Sequence, residues 1–440
     1  MFKFLGLTAL SVAAAAGLGQ RELKMAEAKE GPEKHTVVMV GGGSAGITAA
    51  AQLRRKRRGI DIAIIDPADN HYYQPMWTMV GGGMFSVRDS AKPMASVVPR
   101  GCTYIKDRVV SFDPEHNAVT LADGRAVQYE YLVVAAGLQV NPGAIKGLPE
   151  ALGKNGVCSI YLPEQAEYVW EAIRSTKRGN AIFTLPAGPV KCGGAPQKIM
   201  YLAEDAFRDA GLRDGSDGMV VNVVFAPVWA TMFGVAHFAP ALNELRKAKG
   251  IDAMFSHELV EVRGEAKQAV FKTPEGQQRV MDYELLHVVP PMGAPDFLKG
   301  SPIADASGFV EVDKHTLQHP KYPNVFGAGD CTNLPCAKTA AAVASQVPVL
   351  VHNLDALMNG QEPVAKYDGY SSCPLITGKD SVMLLEFIYG GVPVSTFGLD
   401  GRKARKSYFY LKKYVFPWAY WNLMLKGLWY GRHHVIHPTF

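Results

Sequence analysis

Apolar residues in this chain fall in short unbroken runs, separated by stretches with helical spacing, as expected where parallel strands buried on both faces alternate with helices. Val37 to Val40 is the first such run, and it passes through a glycine cluster into a helical pattern that extends through Arg58. Ile60 to Ile65, Tyr131 to Ala135 and Asn180 to Leu185 are further runs of the same kind. Tyr322 to Asp330 reads as a strand entering a Gly-Asp turn, and Lys338 to Val347 as an alanine-rich helix. This order predicts an α/β protein with two Rossmann-like units. The first is discontinuous, over residues 35–150 and 301–365, and the second occupies 151–300. Residues 366–440 form a C-terminal amphipathic region.

The first thirty-four residues stand apart. Phe4 to Leu18 is a small-residue apolar run flanked by Lys3 and Arg21, with no acid before Glu22. It is shorter than the roughly twenty residues a bilayer span needs, and reads as a mitochondrial or secretory targeting segment. Lys24 to Lys34 follows as a polar linker. At the other end, Tyr408 to Tyr430 is crowded with aromatics, is interrupted by Pro417 and holds no uncharged run of transmembrane length. Arg402, Lys403, Arg405, Lys406, Lys412 and Lys413 accompany it without an acid. Aromatic rings among cations suit a lipid interface, so this region is expected to lie on a membrane surface.

Composition narrows the function classes. With 440 residues the chain can bury more than one core, and a net charge of +5 gives no overall basic field for nucleic acid. Six cysteines in this length do not make a disulfide scaffold, and Cys331 and Cys336 lack a third ligand at metal spacing.

Gly41, Gly43 and Gly46 have the G-x-G-x-x-G spacing directly after the first strand. The first permits the tight turn, the second lets backbone approach a pyrophosphate, and the third brings helix against strand. Asp66 ends the next strand twenty residues later, where a carboxylate accepts from ribose hydroxyls. Two segments favour FAD over a nicotinamide as the predicted cofactor. Tyr131 to Gly137 resembles the strand and turn with which FAD-binding reductases close over their cofactor. In that superfamily the aspartate of a Gly-Asp turn, here Asp330, holds the ribityl chain, and the helix after it, here opened by Lys338, faces the isoalloxazine ring.

A second fingerprint, for a nicotinamide, is missing. After Asn180 to Leu185 comes PAGPVKCGGAPQ, whose glycines lack the spacing and whose prolines remove N–H donors, with a helix only from about Gln197. Cys192 sits in this loop. Cys373 lies in YSSCPL, read as a turn-rich segment and not a core strand. Cysteines in such settings are candidates for redox chemistry. Lys191 and the nearby helix N-terminus are expected to favour the Cys192 thiolate. Cys102 reads as structural, and Cys158 is left open.

PVKCGGAPQK, YSSCPLITG, GDCTNLPCAKTAAA and HYYQPMWTMVGGG together resemble the sulfide:quinone oxidoreductases of the mitochondrial type, over about His35 to Gly427. The resemblance implies two Rossmann-like domains, FAD, and a redox-active pair at Cys192 and Cys373. It implies oxidation of hydrogen sulfide, electron transfer to ubiquinone, and transfer of sulfane sulfur to a small acceptor such as glutathione or sulfite. It also places Ser44, Ala45, Asp66, Gln74, Val109 and Asp330 at FAD contacts, and the enzyme peripherally or monotopically on the mitochondrial inner membrane, or alternatively on a bacterial membrane. A homo-oligomeric state stays open. The rival readings are a single-subunit NADH:quinone oxidoreductase and the flavin subunit of a cytochrome-linked sulfide dehydrogenase. On this reading, removal of Tyr408 to Phe440 leaves FAD bound.

Overall fold

A computed structural model describes residues 33–215 and 219–432; the expected targeting segment lies outside the described residues. The first sheet forms around the strand Glu33–Val40, whose last four residues are buried. It pairs in parallel with Ile62–Ile65 on one side and Ala126–Val134 on the other, and Thr103–Ile105 continues the sheet beyond Ile62–Ile65. Parallel strands of this kind are buried on both faces, which is why Val37 to Val40 and Ile62 to Ile65 are continuous apolar runs.

Ala126–Val134 serves two neighbours. Its first half pairs antiparallel with Ala118–Leu121, and Leu132 to Val134 pair in parallel with Val325–Gly327. The strand Val325–Gly327 therefore returns to the first sheet after an excursion of almost two hundred residues. That excursion contains a second, wholly parallel sheet in the order Val157–Cys158, Leu285–His287, Gly179–Leu185, Val221–Pro227, Asp252–Ala253. A three-stranded antiparallel meander, Glu258–Arg263, Gln268–Lys272 and Gln278–Asp282, is inserted in it.

Helices cover the sheets. Ser44–Lys56 follows the first strand, and nine consecutive residues from Ala45 to Leu53 are buried against its surroundings. Ala195–Asp209 is the helix after Gly179–Leu185, with Gly194 at its N-cap. The helix expected from Lys338 begins at Ala340, because Thr339 caps it by accepting the Ala342 N–H at 3.1 Å. It runs to Met358.

The C-terminal region corrects one expectation. Ser371–Gly378 is a strand, paired antiparallel with Ser381–Ile388, and Cys373 in it is buried. The proline that suggested a turn is tolerated because Ser371–Gly378 is the edge of its three-stranded sheet. Lys406–Tyr410, a π-helical turn Leu411–Val415 and Phe416–Asn422 then form a continuous helical rod. Among the described residues, no helix is long and apolar enough to cross a membrane.

Candidate active site

The glycine loop closes as its spacing requires. Gly41 has φ +108°, and a Cβ there would fall 2.5 Å from the Ala135 carbonyl oxygen; one on Gly46 would fall 1.9 Å from the Gly41 carbonyl oxygen. Gly43 differs: no protein atom lies within 4 Å of a Cβ built on it. That open space belongs to a cavity of about 530 Å³. Its lining runs from Gly43, Ser44, Ala45 and Asp66, past Gln74 and Gly137, to Asp330 and Cys192. Asp66 is already oriented, accepting the Gly42 N–H at 2.6 Å and the Ala68 N–H at 2.8 Å. Of the remaining residues expected at the cofactor, Gly41 and Gly46 shape the loop from behind, while Val109 and Lys338 do not line the cavity. Val109 is buried in the first sheet opposite Leu121.

These features fit FAD: room for a pyrophosphate at Gly43 beside a helix N-terminus, a carboxylate at the end of the second strand, and a half-buried acid at Asp330 on the cavity wall. Burial raises the Asp330 pKa, and the charges of Lys338 and Lys191 oppose the rise. Lys191 is itself lowered by burial, with Asp330 opposing, and its Nζ lies 3.3 Å from the Gln74 amide oxygen.

At the far end of the cavity the two cysteines meet. Cys192 Sγ lies 3.6 Å from Cys373 Sγ, although 181 residues separate them. Three features bring them together. Cys192 has φ +50°, a left-handed conformation uncommon for a residue with a Cβ. Its N–H donates to the Lys338 carbonyl at 2.8 Å, and its own carbonyl accepts the Tyr161 hydroxyl at 3.2 Å. Gly194 leaves space for the partner, since a Cβ on it would fall 2.6 Å from Cys373 Sγ. Side chains alternate along Ser371–Gly378, so Ser372 and Pro374 line the cavity while Cys373 between them turns toward Gly194. The hairpin tip is pinned to the same helix that follows Cys192, because the Lys379 N–H donates to Asp205 Oδ2 at 2.7 Å.

The cation beside the pair is not the one expected. Lys198, on the first turn of Ala195–Asp209, donates from Nζ to Cys192 Sγ at 3.1 Å, whereas Lys191 points to Gln74. The hydrogen bond from Cys373 holds the Cys192 thiol well below its ordinary pKa against the cost of burial, and the charge of Lys198 adds to this. The same bond, with burial, pushes Cys373 up. Burial pulls Lys198 down, but the two sulfurs outweigh it and hold the ammonium protonated. In the reduced pair the charge is therefore favoured on Cys192, beside the ammonium, and the proton on Cys373.

A second lysine approaches from the C-terminal rod. Lys412 sits in the π-helical turn and is 3 % exposed while its neighbours Tyr414 and Val415 face outward. Burial, with repulsion from Lys198, lowers its pKa to about 7. Nothing in the periodicity of Tyr408 to Tyr430 distinguishes it. Glu386 also lines the cavity and accepts from Tyr370, Thr396 Oγ1 and the Thr396 N–H. Cys158, left open from sequence, is fully buried in its strand, and Cys331, in the turn beside Asp330, is fully buried too.

Comparison with known proteins identifies the family. Residues 35–177 match the family model "Pyridine nucleotide-disulphide oxidoreductase". The mitochondrial sulfide:quinone oxidoreductase of Mus musculus is 45 % identical over 399 residues, covering 90 % of this chain and 88 % of that protein. The corresponding protein of Dictyostelium discoideum is 48 % identical over 407 residues, covering 91 % and 88 %. The X-ray structure of the sulfide:quinone oxidoreductase from Aquifex aeolicus superposes with a TM-score of 0.72 at 19 % identity, covering 89 % of this chain and 92 % of that one. The chain belongs to the sulfide:quinone oxidoreductase family of FAD-dependent enzymes.

Proposed function

We propose that this member of the family oxidises hydrogen sulfide at a Cys192–Cys373 disulfide and delivers two electrons to ubiquinone. The observation that carries the reading is the 3.6 Å approach of the two sulfurs at the end of a cavity that begins at the glycine loop. Hydrosulfide attacks the Cys373 sulfur of the disulfide. The S–S bond breaks, the incoming sulfur becomes a persulfide on Cys373, and Cys192 leaves as the thiolate. The leaving thiol is the one with the lowered pKa, as exchange at a disulfide favours. Lys198 holds the charge that develops on Cys192. A small nucleophile such as glutathione or sulfite then takes the outer sulfur and leaves Cys373 reduced.

Bound FAD supplies the two-electron relay between the dithiol and ubiquinone. Gly41, Gly43 and Gly46 shape its pyrophosphate site, with Ser44 and Ala45 at the helix N-terminus and Asp66 at the ribose. Gln74, Gly137 and Asp330 line the path toward the cysteines. The loop after Gly179–Leu185 supports the choice of sulfide over a nicotinamide as donor, because Pro186 and Pro189 remove backbone donors where a phosphate cradle would need them.

The outer face of the C-terminal rod docks on the mitochondrial inner membrane. Tyr410, Tyr414, Val415 and Trp418 are about half exposed, Phe397 and Leu399 extend the apolar patch, and Lys403 and Lys406 flank it. Quinone enters from the bilayer beside Phe397 and Phe416, which line the cavity.

Anaerobic titration of the purified protein with sulfide tests the reading. Loss of the oxidised flavin band at stoichiometric sulfide, restored by a soluble ubiquinone, is the expected result. Bleaching by NADH and not by sulfide would overturn it.

A further inference from the structure

The wall of the nucleotide cavity is not built from the Rossmann-like units alone. Phe416, Tyr420, Met424 and Trp429 line it, and all four come from the C-terminal rod and the turn after it. Tyr420 reaches the glycine loop. Its hydroxyl lies 2.7 Å from Ser44 Oγ, at the first residue of the helix that follows the glycine loop, and 2.6 Å from His71 Nε2. His71 Nδ1 lies 2.9 Å from the Gly42 carbonyl, which can only accept. Nδ1 therefore carries the proton, and burial keeps the ring neutral by lowering its pKa. It follows that Nε2 accepts the Tyr420 hydroxyl proton, and the Tyr420 oxygen accepts from Ser44. One buried chain of hydrogen bonds thus runs from the glycine loop, through the C-terminal rod, and back to the loop.

The packing around this chain is tight. The Tyr420 ring lies 4.6 Å from that of Tyr73. Gln52 of the loop's helix donates to the Trp429 carbonyl at 3.0 Å, and a Cβ on Gly427 would fall 2.7 Å from the Gln52 nitrogen. The opposite face of the same rod carries the exposed Tyr410, Tyr414 and Trp418. A single element therefore closes the nucleotide site with one face and offers apolar rings to the outside with the other.

We propose that Tyr420 is a positioning residue of the FAD site, and that FAD loading and seating of the C-terminal rod are one coupled step. The proposal rests on the FAD reading above. FAD fills the space that the rod encloses, so the seated rod binds FAD more tightly than the unseated one. By reciprocity, FAD must favour the seated rod by the same factor. The rod, read from sequence as dispensable for the cofactor, is on this view part of its site.

The test uses the full chain stripped of FAD and titrated with FAD, followed by flavin fluorescence. Tyr420→Phe removes the hydroxyl, frees Ser44 and leaves His71 Nε2 buried without its donor. A net hydrogen bond is worth about 0.5–1.5 kcal/mol, so FAD should bind about 2- to 13-fold more weakly. A second readout is trypsin cleavage at Arg402 to Lys413 in the wild-type chain, expected to be on the order of tenfold slower with saturating FAD than without. An unchanged FAD affinity in Tyr420→Phe, or cleavage indifferent to FAD, overturns the coupling. Failure of the wild-type chain to bind FAD at all would instead overturn the FAD reading.

Discussion

The sulfurs of Cys192 and Cys373 stand 3.6 Å apart, and only the first of these residues lines the cavity. The pair is therefore asymmetric: one sulfur faces the cofactor space and the other is packed between strand and loop. Cys192→Ser and Cys373→Ser are each expected to lower sulfide oxidation on the order of 10³-fold or more, measured as sulfide-dependent ubiquinone reduction. The double variant should be little worse than either single one, because the two act as a unit. Additive losses would show that the cysteines act separately.

Lys198 gives the asymmetry a charge. It donates to Cys192, whose pKa lies below the ordinary range. In Lys198→Met the Cys192 pKa should rise, so that its thiolate forms at higher pH than in the parent. Alkylation of the reduced protein by iodoacetamide, followed against pH, should move to the alkaline side. An unmoved profile would remove Lys198 from the site.

Lys412 predicts an effect on stability. Its folded pKa, about 7, lies below the value for an unfolded lysine. Below that pH both states carry the charge, and the folded one bears its full desolvation penalty. The penalty shrinks as pH rises toward the ordinary lysine range. Lys412→Met should therefore raise Tm more at about pH 6 than at about pH 9. Equal gains, or a loss at both, would show that the ammonium is not desolvated.

The glycines separate folding from cofactor binding. A Cβ on Gly46 would overlap the Gly41 carbonyl, whereas one on Gly43 would meet no protein atom. Gly46→Val should lower the yield of folded protein. Gly43→Val should fold with an unaltered far-UV circular dichroism spectrum yet purify colourless. A yellow Gly43→Val protein would mean that the loop does not approach a phosphate.

The exposed rings bear on the membrane. Trp418→Asp combined with Tyr414→Asp should abolish co-sedimentation with anionic vesicles while the protein keeps its flavin, since both side chains point away from the cavity. Undiminished co-sedimentation would place the membrane contact elsewhere.

Much of this was legible in the sequence for a local reason. The glycine loop, Asp66 and the Gly-Asp turn are each written in contiguous residues, so spacing alone locates them. Cys373 reads as part of a turn because Ser-Ser-Cys-Pro lacks an apolar run, and a proline at a sheet edge looks the same in sequence as a proline in a loop. Lys198 has a local signal: it sits one helical turn into the helix that Cys192 precedes. Tyr420 and His71 had none, since their partners lie 376 and 29 residues away and the contacts exist only after the C-terminal rod has folded back. Lys412 lies three and four residues after the buried Phe409 and Tyr408, a shared helical face that a run of mixed basic and aromatic residues does not reveal by itself.

The alternation along Ser371–Gly378 restricts how this gene can change length. Because neighbouring side chains face opposite ways, losing or gaining one residue between Cys373 and the hairpin tip would present a thiol to the cavity and a serine or proline to Cys192. The hairpin cannot slide to compensate, since its tip is fastened at Asp205. An even-numbered gap there would keep the facing but carry the thiol two residues along the strand, away from Cys192, so point substitution is left as the route by which the segment drifts.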